Sequence, residues 1–224
     1  MDTWLRLAAF QSASKPRPGI PGPTNPDATS SIRHGEPCRR LGGYTQGIMP
    51  ETDRLFLECS IHRLKELTPR IETCLGKLTL EQVWARGGEN ENAIGNLVLH
   101  LCGNMRQWIV CGVGGRPDTR DRDGEFAARE GASGPELSAR LCETVGEATA
   151  VIGALTPGRL AAQLVVQGYR VSGLEAVYHV VEHFSMHAGQ ILFATKMLTG
   201  TDLGFYRHLS GGKRQPGSAP GSTD

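Results

Sequence analysis

Hydrophobic residues recur at three- and four-residue steps in four long segments of the chain, which is the period of an amphipathic helix. We predict helices over residues 52–74, 92–111, 135–155 and 172–198, the second of them beginning with Asn92 as its N-cap. Each apolar stripe must be buried against another element. The pattern therefore predicts an all-α fold, a four-helix bundle in which cofactor sites are built from facing helices.

The segments between the predicted helices differ in character. Residues 80–84 suggest a short helical turn, and residues 158–171 alternate in a way that indicates an irregular or strand-like connection. Residues 112–133 form a long loop that contains the sequence RDRDGEF at 120–126. Loops of this length in compact domains are functional or mobile. The alternating charge fits either a solvated turn, in which Arg120 and Arg122 face water, or a salt-bridged loop folded over a site.

Both ends of the chain lack a sustained apolar period. Residues 1–48 are rich in proline, glycine and serine, and we predict a disordered extension there, because such a segment buries too little surface to offset ordering. Residues 209–224 are predicted to be a disordered tail, which leaves residues 49–208 for the bundle. Met49 precedes a typical helix start, so translation from Met49 is an alternative to the printed start.

Composition excludes several classes of protein. The chain has 24 basic and 23 acidic residues and a formal net charge of +1, so it has no overall electrostatic attraction for nucleic acid. No segment approaches the roughly 18 apolar residues of a membrane span. The six cysteines lack CxxC spacing and indicate reduced thiols. We therefore expect a soluble, cytoplasmic protein that binds neither nucleic acid nor membrane.

The most informative polar residues are three histidines on predicted helices. His183 and His187 are four residues apart and lie about 40° apart around a helix, so their imidazoles can converge on one point. His100 lies on the shoulder of the apolar arc of the second predicted helix and is the candidate third ligand. Three imidazoles would leave a divalent metal ion open positions for water or substrate. The alternative is that all three histidines are structural.

Four further residues are predicted to surround this site. Asn104 and Gln190 share a helix face with a candidate ligand and would orient ligands or hydrogen-bond a bound group. His179 is predicted to support the site rather than to serve as a fourth ligand, and Trp108 to line the pocket.

Other reaction chemistries are disfavoured by the sequence. The same faces lack the carboxylates of a di-iron bundle. The chain has no GxSxG, phosphate-loop or dinucleotide motif. Cys102 and Cys111 lie in apolar arcs with no base beside them, which disfavours a nucleophilic cysteine.

Two of these segments carry a family resemblance. Residues 183–191 (HFSMHAGQI) resemble the helix-four signature of the DinB-like (DinB/YfiT) superfamily of metal-binding four-helix bundles, and residues 92–104 (NAIGNLVLHLCGN) resemble its helix-two ligand segment. With residues 120–126 and 202–206, the chain resembles a branch of uncharacterised function. The likeness covers residues 50–206 and implies a metal-binding bundle.

Carried over position by position, the family's three ligands match His100, His183 and His187, with Gln190 just beyond. The superfamily includes transferases that use low-molecular-weight thiols, isomerases and hydrolases. Ala188 stands where many relatives carry a basic residue, so no particular substrate is implied. Three imidazoles are compatible with zinc, nickel, iron or manganese.

The sequence thus leads to one main hypothesis and two alternatives. The main hypothesis is a bundle with one divalent metal ion that activates a thiol or water, acting as a thiol-dependent transferase or hydrolase on a small-molecule substrate. The second is a non-catalytic metal-binding or stress-response bundle that serves as a homodimer. The third is a protein with structural histidines and no metal.

Overall fold

The structure is a computed structural model of the 224-residue chain and describes residues 49–207. The predicted extension at 1–48 and the predicted tail at 209–224 lie outside the described residues. The elements are α1 (Glu51–Leu75), α2 (Leu80–Trp84), α3 (Ile94–Met105) with a π-helical continuation (Arg106–Val113), α4 (Arg122–Ala127), α5 (Gly134–Gly153), α6 (Pro157–Ala161), β1 (Gln163–Val166), β2 (Tyr169–Ser172) and α7 (Gly173–Thr199).

The four long helices confirm the predicted all-α four-helix bundle. Helices α1 and α3 each pack against both α5 and α7, so α1 and α3 occupy opposite corners of the bundle. Their apolar faces meet in one continuous core. Its largest fully buried side chains include Leu64, Ile71, Leu101, Leu141 and Phe184. Burial of each such side chain contributes about 1.5–3 kcal/mol, and this burial fixes how α3 and α7 face each other.

Helix α7 has strong signals at both of its ends. The Ser172 side chain accepts a hydrogen bond from the backbone N–H of Glu175, and the Glu175 carboxylate accepts one from the backbone N–H of Ser172, which together form a capping box. The helix ends at Gly200, whose φ of 62° is the left-handed conformation that glycine adopts without strain. These caps define the 27-residue helix that carries His183 and His187.

Helix α3 departs from the prediction at both ends. It begins at Ile94 rather than after an Asn92 cap, because the side chain of Asn96 reaches back and accepts a hydrogen bond from the backbone N–H of Ala93. The prediction of Asn92 as N-cap was therefore wrong. After Met105 the spiral widens into a π-helix, a form that is frequent at functional sites.

The connections also acquire structure. Residues 158–171 were predicted as an irregular or strand-like connection, and the structure has an antiparallel hairpin over 163–172 in which Gln163 pairs with Ser172 and Val166 with Tyr169. Its two turn residues, Gln167 and Gly168, both have positive φ, as a type I′ turn requires. Part of the predicted loop at 112–133 is helix α4. In the described range, no helix is sufficiently long and hydrophobic to span a membrane.

Candidate metal centre

The packing of α3 against α7 brings the three predicted histidines together. The Nε2 atom of His183 lies 3.1 Å from Nε2 of His100 and 3.1 Å from Nε2 of His187. All three side chains are buried. Among the described residues, these three form the only group of histidine, cysteine or acidic side chains whose ligand atoms are close enough to share an ion.

The spacing of the three nitrogens suits a divalent metal ion. Two nitrogens 3.1 Å apart subtend an angle of about 98° at an ion that lies ~2.05 Å from each, the usual Zn–N distance. This angle falls between the octahedral and tetrahedral values. The rings do not stack on one another: the planes of His183 and His187 are inclined by 73°, and those of His100 and His187 by 85°. Their edges therefore point inward.

The outer ring nitrogens indicate which tautomers are present. Nδ1 of His187 lies 2.6 Å from Oε1 of Gln190, and Nδ1 of His100 lies 3.1 Å from Oε2 of Glu125. An oxygen acceptor at Nδ1 favours a proton on that nitrogen, which leaves the Nε2 lone pair free to bind a metal. Nδ1 of His183 has no hydrogen-bond partner in the described part of the chain, and neither has Oδ1 of Asn104 on the facing helix.

Glu125 is the residue of this site that the sequence analysis missed. Its two carboxylate oxygens each accept a hydrogen bond of 2.7 Å from Arg120, one from Nε and one from Nη2. The Arg120 side chain is only 3% exposed and that of Glu125 only 10%. Of the two interpretations of the charged loop, the structure shows the salt-bridged loop over a site. The sequence signal for Glu125 is its place in the alternating-charge segment RDRDGEF at 120–126.

Helix α4, which carries Glu125, is held in place by the buried side chain of Asn96 and the half-buried side chain of Arg86. The Asn96 amide donates to the backbone oxygens of Glu125 and Ala128, at 2.8 and 2.9 Å. The Arg86 guanidinium donates to the Asn96 side chain and to the backbone oxygens of Phe126 and Ala128. The Phe126 ring packs on the His100 ring, with centroids 4.6 Å apart. The Glu125 carboxylate beside His100 is thus carried by a backbone segment that hydrogen bonds hold in place.

The remaining predicted pocket residues lie on the other side of His183. The Trp108 ring packs against the His179 ring at 4.2 Å, and the His179 ring lies 5.5 Å from that of His183. Nδ2 of Asn104 is 3.5 Å from Nε2 of His179. His179 is half-buried and is not part of the three-histidine group. These residues form the wall beside the cluster.

Burial determines the charge state of the cluster. It lowers the pKa of His183 to about 2 and that of His187 to about 4, and it lowers the pKa of His100 as well. Each histidine is therefore neutral near pH 7, which is the form that binds metals. Burial opposes the charge of Glu125, but the hydrogen bonds from Arg120 and His100 still hold the pKa of that carboxyl below its ordinary value.

Burial disfavours the thiolate form of Cys102 and Cys111. Burial raises the pKa of the Cys102 thiol to about 11, so it stays protonated at neutral pH. Burial also raises the pKa of Cys111, whose Sγ contacts the backbone oxygen of Pro117. That neither cysteine is a nucleophile stays a prediction.

Comparison with known families places the chain. The family described as "Protein of unknown function (DUF1572)" matches residues 51–211, which includes the whole bundle and all three histidines. The chain belongs to this family. No curated protein sequence matches it significantly.

Solved structures show the same fold. A conserved protein from Enterococcus faecalis superposes with a TM-score of 0.56 and 15% identity, over 64% of this chain and 97% of that one. A DinB-like protein of Bacillus subtilis (YjoA) superposes with a TM-score of 0.51 and 15% sequence identity, over 66% of this chain and 96% of that one. The second likeness confirms the DinB-like resemblance predicted from the sequence, at the level of the fold.

A more distant structure is also similar. The mycothiol-dependent maleylpyruvate isomerase matches with a TM-score of 0.46 and 12% identity, over 62% of this chain and 67% of that one. No conclusion about this protein follows from it.

We predict that the metal-free protein loses stability as the pH falls from about 6.5 to about 4. In this window the unfolded chain protonates its imidazoles, with a pKa of about 6.5, while the buried rings remain neutral, so the unfolded state binds more protons. A folded pKa of about 4 for His187 corresponds to roughly 3 kcal/mol of unfolding free energy lost by pH 4. Urea denaturation of chelator-treated protein across this range measures it.

A matched substitution separates the cluster from the rest of the protein. His187→Gln should make the pH dependence shallower, whereas His62→Gln, at an exposed position on α1, should leave it unchanged. Equal slopes in the wild type and the His187→Gln variant would contradict the prediction.

Proposed function

We propose that this protein binds one divalent metal ion through His100, His183 and His187 and is a metal-dependent enzyme. In this proposal it acts on a small-molecule substrate as a thiol-dependent transferase or a hydrolase. The observation that carries the proposal is the convergence of three buried Nε2 atoms, two of which belong to rings with an oxygen acceptor at Nδ1.

The tautomers favour a metal site over a purely structural cluster. If His100 and His187 both keep their proton on Nδ1, their Nε2 lone pairs both face His183. The single proton that His183 can place on Nε2 must then serve two acceptors 3.1 Å away. Buried acceptors without a full hydrogen bond cost about 1–3 kcal/mol each. A cation at the centre satisfies all three lone pairs at once.

The charges around the cluster leave the ion reactive. Three neutral imidazoles contribute no charge, and the carboxylate of Glu125 is paired with the guanidinium of Arg120. An ion held by His100, His183 and His187 would keep its double positive charge and would lower the pKa of a thiol or a water molecule bound to it. The three-nitrogen donor set is compatible with zinc, nickel, iron or manganese.

We also propose a cytoplasmic location. The described cysteines, at positions 59, 74, 102, 111 and 142, are all unpaired. Free thiols are typical of the reducing cytosol, where small thiols that could serve as co-substrates are abundant.

We predict that protein purified without a nickel column contains about one divalent ion per chain. His187→Ala should weaken binding by more than the roughly 10–100-fold that loss of a residue orienting a ligand costs, because it removes a ligand itself. Elemental analysis after dialysis against a weak chelator measures the content. His62→Ala is the control and should retain the ion. A folded wild-type protein that takes up no zinc, nickel, iron or manganese would overturn the metal site.

The enzyme part of the proposal has its own test. Metal-loaded protein should catalyse either the addition of a small thiol to an electrophile or the hydrolysis of an ester or amide. Activity should disappear with a chelator, return with the metal, and be absent in His183→Ala. If the loaded protein turns over neither class in a broad substrate panel, the enzyme proposal fails and the metal-binding bundle remains.

One observation favours the second candidate function, a non-catalytic metal-binding homodimer. Four large apolar side chains on the outward face of α7 are between 49% and 72% exposed: Tyr178, Met186, Phe193 and Met197. They fall within about 100° of arc around a helix of 3.6 residues per turn. Exposed large apolar side chains gathered on one helix face mark an interaction surface, and a second copy of the chain would cover this apolar stripe with its own. The exposed Glu182 and Lys196 lie in the same arc and would pair with each other's copies across such a dimer.

We predict that light scattering coupled to gel filtration gives twice the chain mass for the wild type. Phe193→Glu places a charge in the apolar stripe and should yield monomers with unchanged metal content. Leu55→Glu, at an exposed apolar position on α1, is the matched control and should remain dimeric. A monomeric wild type at micromolar concentration would contradict the dimer.

A further inference from the structure

One face of α3 receives the segment that contains Arg120 and α4. Asn96, His100 and Gly103 follow one another at four- and three-residue steps, so they lie along one side of the helix. Asn96 binds the backbone of α4, His100 contacts Glu125 and Phe126, and Gly103 lies under the Arg120–Glu125 pair. This side of α3 thus carries, in order, a residue that binds the α4 backbone (Asn96), a candidate ligand (His100) and a position without a side chain (Gly103).

The space left by the missing side chain of Gly103 is filled by the Arg120–Glu125 ion pair. A Cβ atom at position 103 would lie 1.8 Å from Oε1 of Glu125 and 2.8 Å from Nε of Arg120. Glycine in a helix interior destabilises it relative to alanine. Here the missing side chain allows the carboxylate and guanidinium to approach the helix closely enough to reach His100, one turn away.

Nδ1 of His100 has two neighbours that require opposite protonation of that nitrogen. Oε2 of Glu125, 3.1 Å away, can only accept a hydrogen bond, whereas Nη2 of Arg120, 3.0 Å away, can only donate one. Arg120 donates to both oxygens of Glu125 and to Oε1 of Gln107 whichever tautomer His100 adopts, and Nη2 has a second N–H that only an unprotonated Nδ1 would accept. An unprotonated Nδ1 would also place its lone pair against the anionic oxygen.

We infer that Glu125, locked by Arg120 and seated on Gly103, is a positioning residue for His100. It accepts the Nδ1 proton and so directs the Nε2 lone pair toward His183 and His187. The inference rests on the proposed metal site as far as it concerns metal affinity. The tautomer of His100, however, is a property of the metal-free protein and can be measured without any ion.

The support around the pair makes this positioning rigid. Asn96 and Arg86 bind the backbone on both sides of Phe126. Glu125 is therefore held in one place and cannot move with the imidazole of His100 if that ring rotates. Arg120 preserves the carboxylate as an acceptor and also cancels its charge. The pair orients the ligand without adding net negative charge beside the ion, which distinguishes it from a lone carboxylate next to a histidine.

The first test is the tautomer of His100, read from long-range proton–nitrogen NMR correlations in metal-free protein. The wild type should show the proton on Nδ1, and Glu125→Ala should lose that preference. Glu125→Gln keeps an acceptor oxygen and should restore it in part. Glu130→Gln, at an exposed carboxylate of the following loop, is the control and should resemble the wild type. A wild-type His100 with its proton on Nε2 would overturn the inference.

The second test is metal affinity, measured by competition with a chromophoric chelator for zinc. Glu125→Ala should weaken zinc binding about 10–100-fold, and Glu125→Gln less. Because Glu125→Ala leaves a buried guanidinium without its partner, the double variant Arg120→Met/Glu125→Ala is measured beside it. Unchanged zinc affinity in the folded double variant would count against positioning.

The glycine provides an independent arm of the same experiment. Gly103→Ala should displace the ion pair and weaken zinc binding, whereas Gly146→Ala, on α5 with no atom within 4 Å of the added methyl, should not. Equal affinities in these two variants would contradict the role of the space at Gly103. A wild type that binds no zinc, nickel, iron or manganese would overturn the proposed function instead, and the tautomer measurement would still decide the positioning inference.

Discussion

The central constraint in this protein is that three imidazole nitrogens meet inside a bundle where water cannot solvate them. Buried polar atoms must be satisfied by hydrogen bonds or by a cation. His100, His183 and His187 point the same atom, Nε2, at a common centre. The arrangement of α3 against α7, and the residues at the outer nitrogens, are the means by which the fold maintains that convergence.

The bundle and the polar shell make different contributions. Apolar packing of α1, α3, α5 and α7 fixes the distance between the helices, but it does not determine which nitrogen of a ring carries the proton. Gln190, on the same helix as His187, accepts at Nδ1 of that ring and so favours a proton there. The corresponding acceptor for His100 is Glu125, which lies on a separate element. The orientation of the His187 ring thus depends on residue spacing within α7, whereas the orientation of the His100 ring on α3 depends on tertiary contacts.

This division explains what could be predicted from the sequence. The helical period was enough for the four long helices, and four-residue spacing was enough for His183 and His187. His100 followed from its position on an apolar arc. Glu125 could not be found in this way, because its partner His100 is 25 residues away in the sequence and no periodicity connects a loop to a helix face. The cap of α3 was mispredicted because Ala93, which has no polar side chain, is the N-cap residue, and its backbone N–H is bound instead by the side chain of Asn96 inside the helix.

The origin of the three nitrogens has a consequence for folding. His100 and His183 are separated by 83 residues, so their contact exists only once α3 and α7 have packed against each other. A separated helix offers at most two of the three candidate ligands, His183 and His187 on α7, and only the folded chain adds His100. A ligand that binds the native chain more tightly than the unfolded one stabilises the native state by mass action. Any ion held by all three rings would therefore stabilise the bundle, and the availability of that ion would then set part of the stability of the fold.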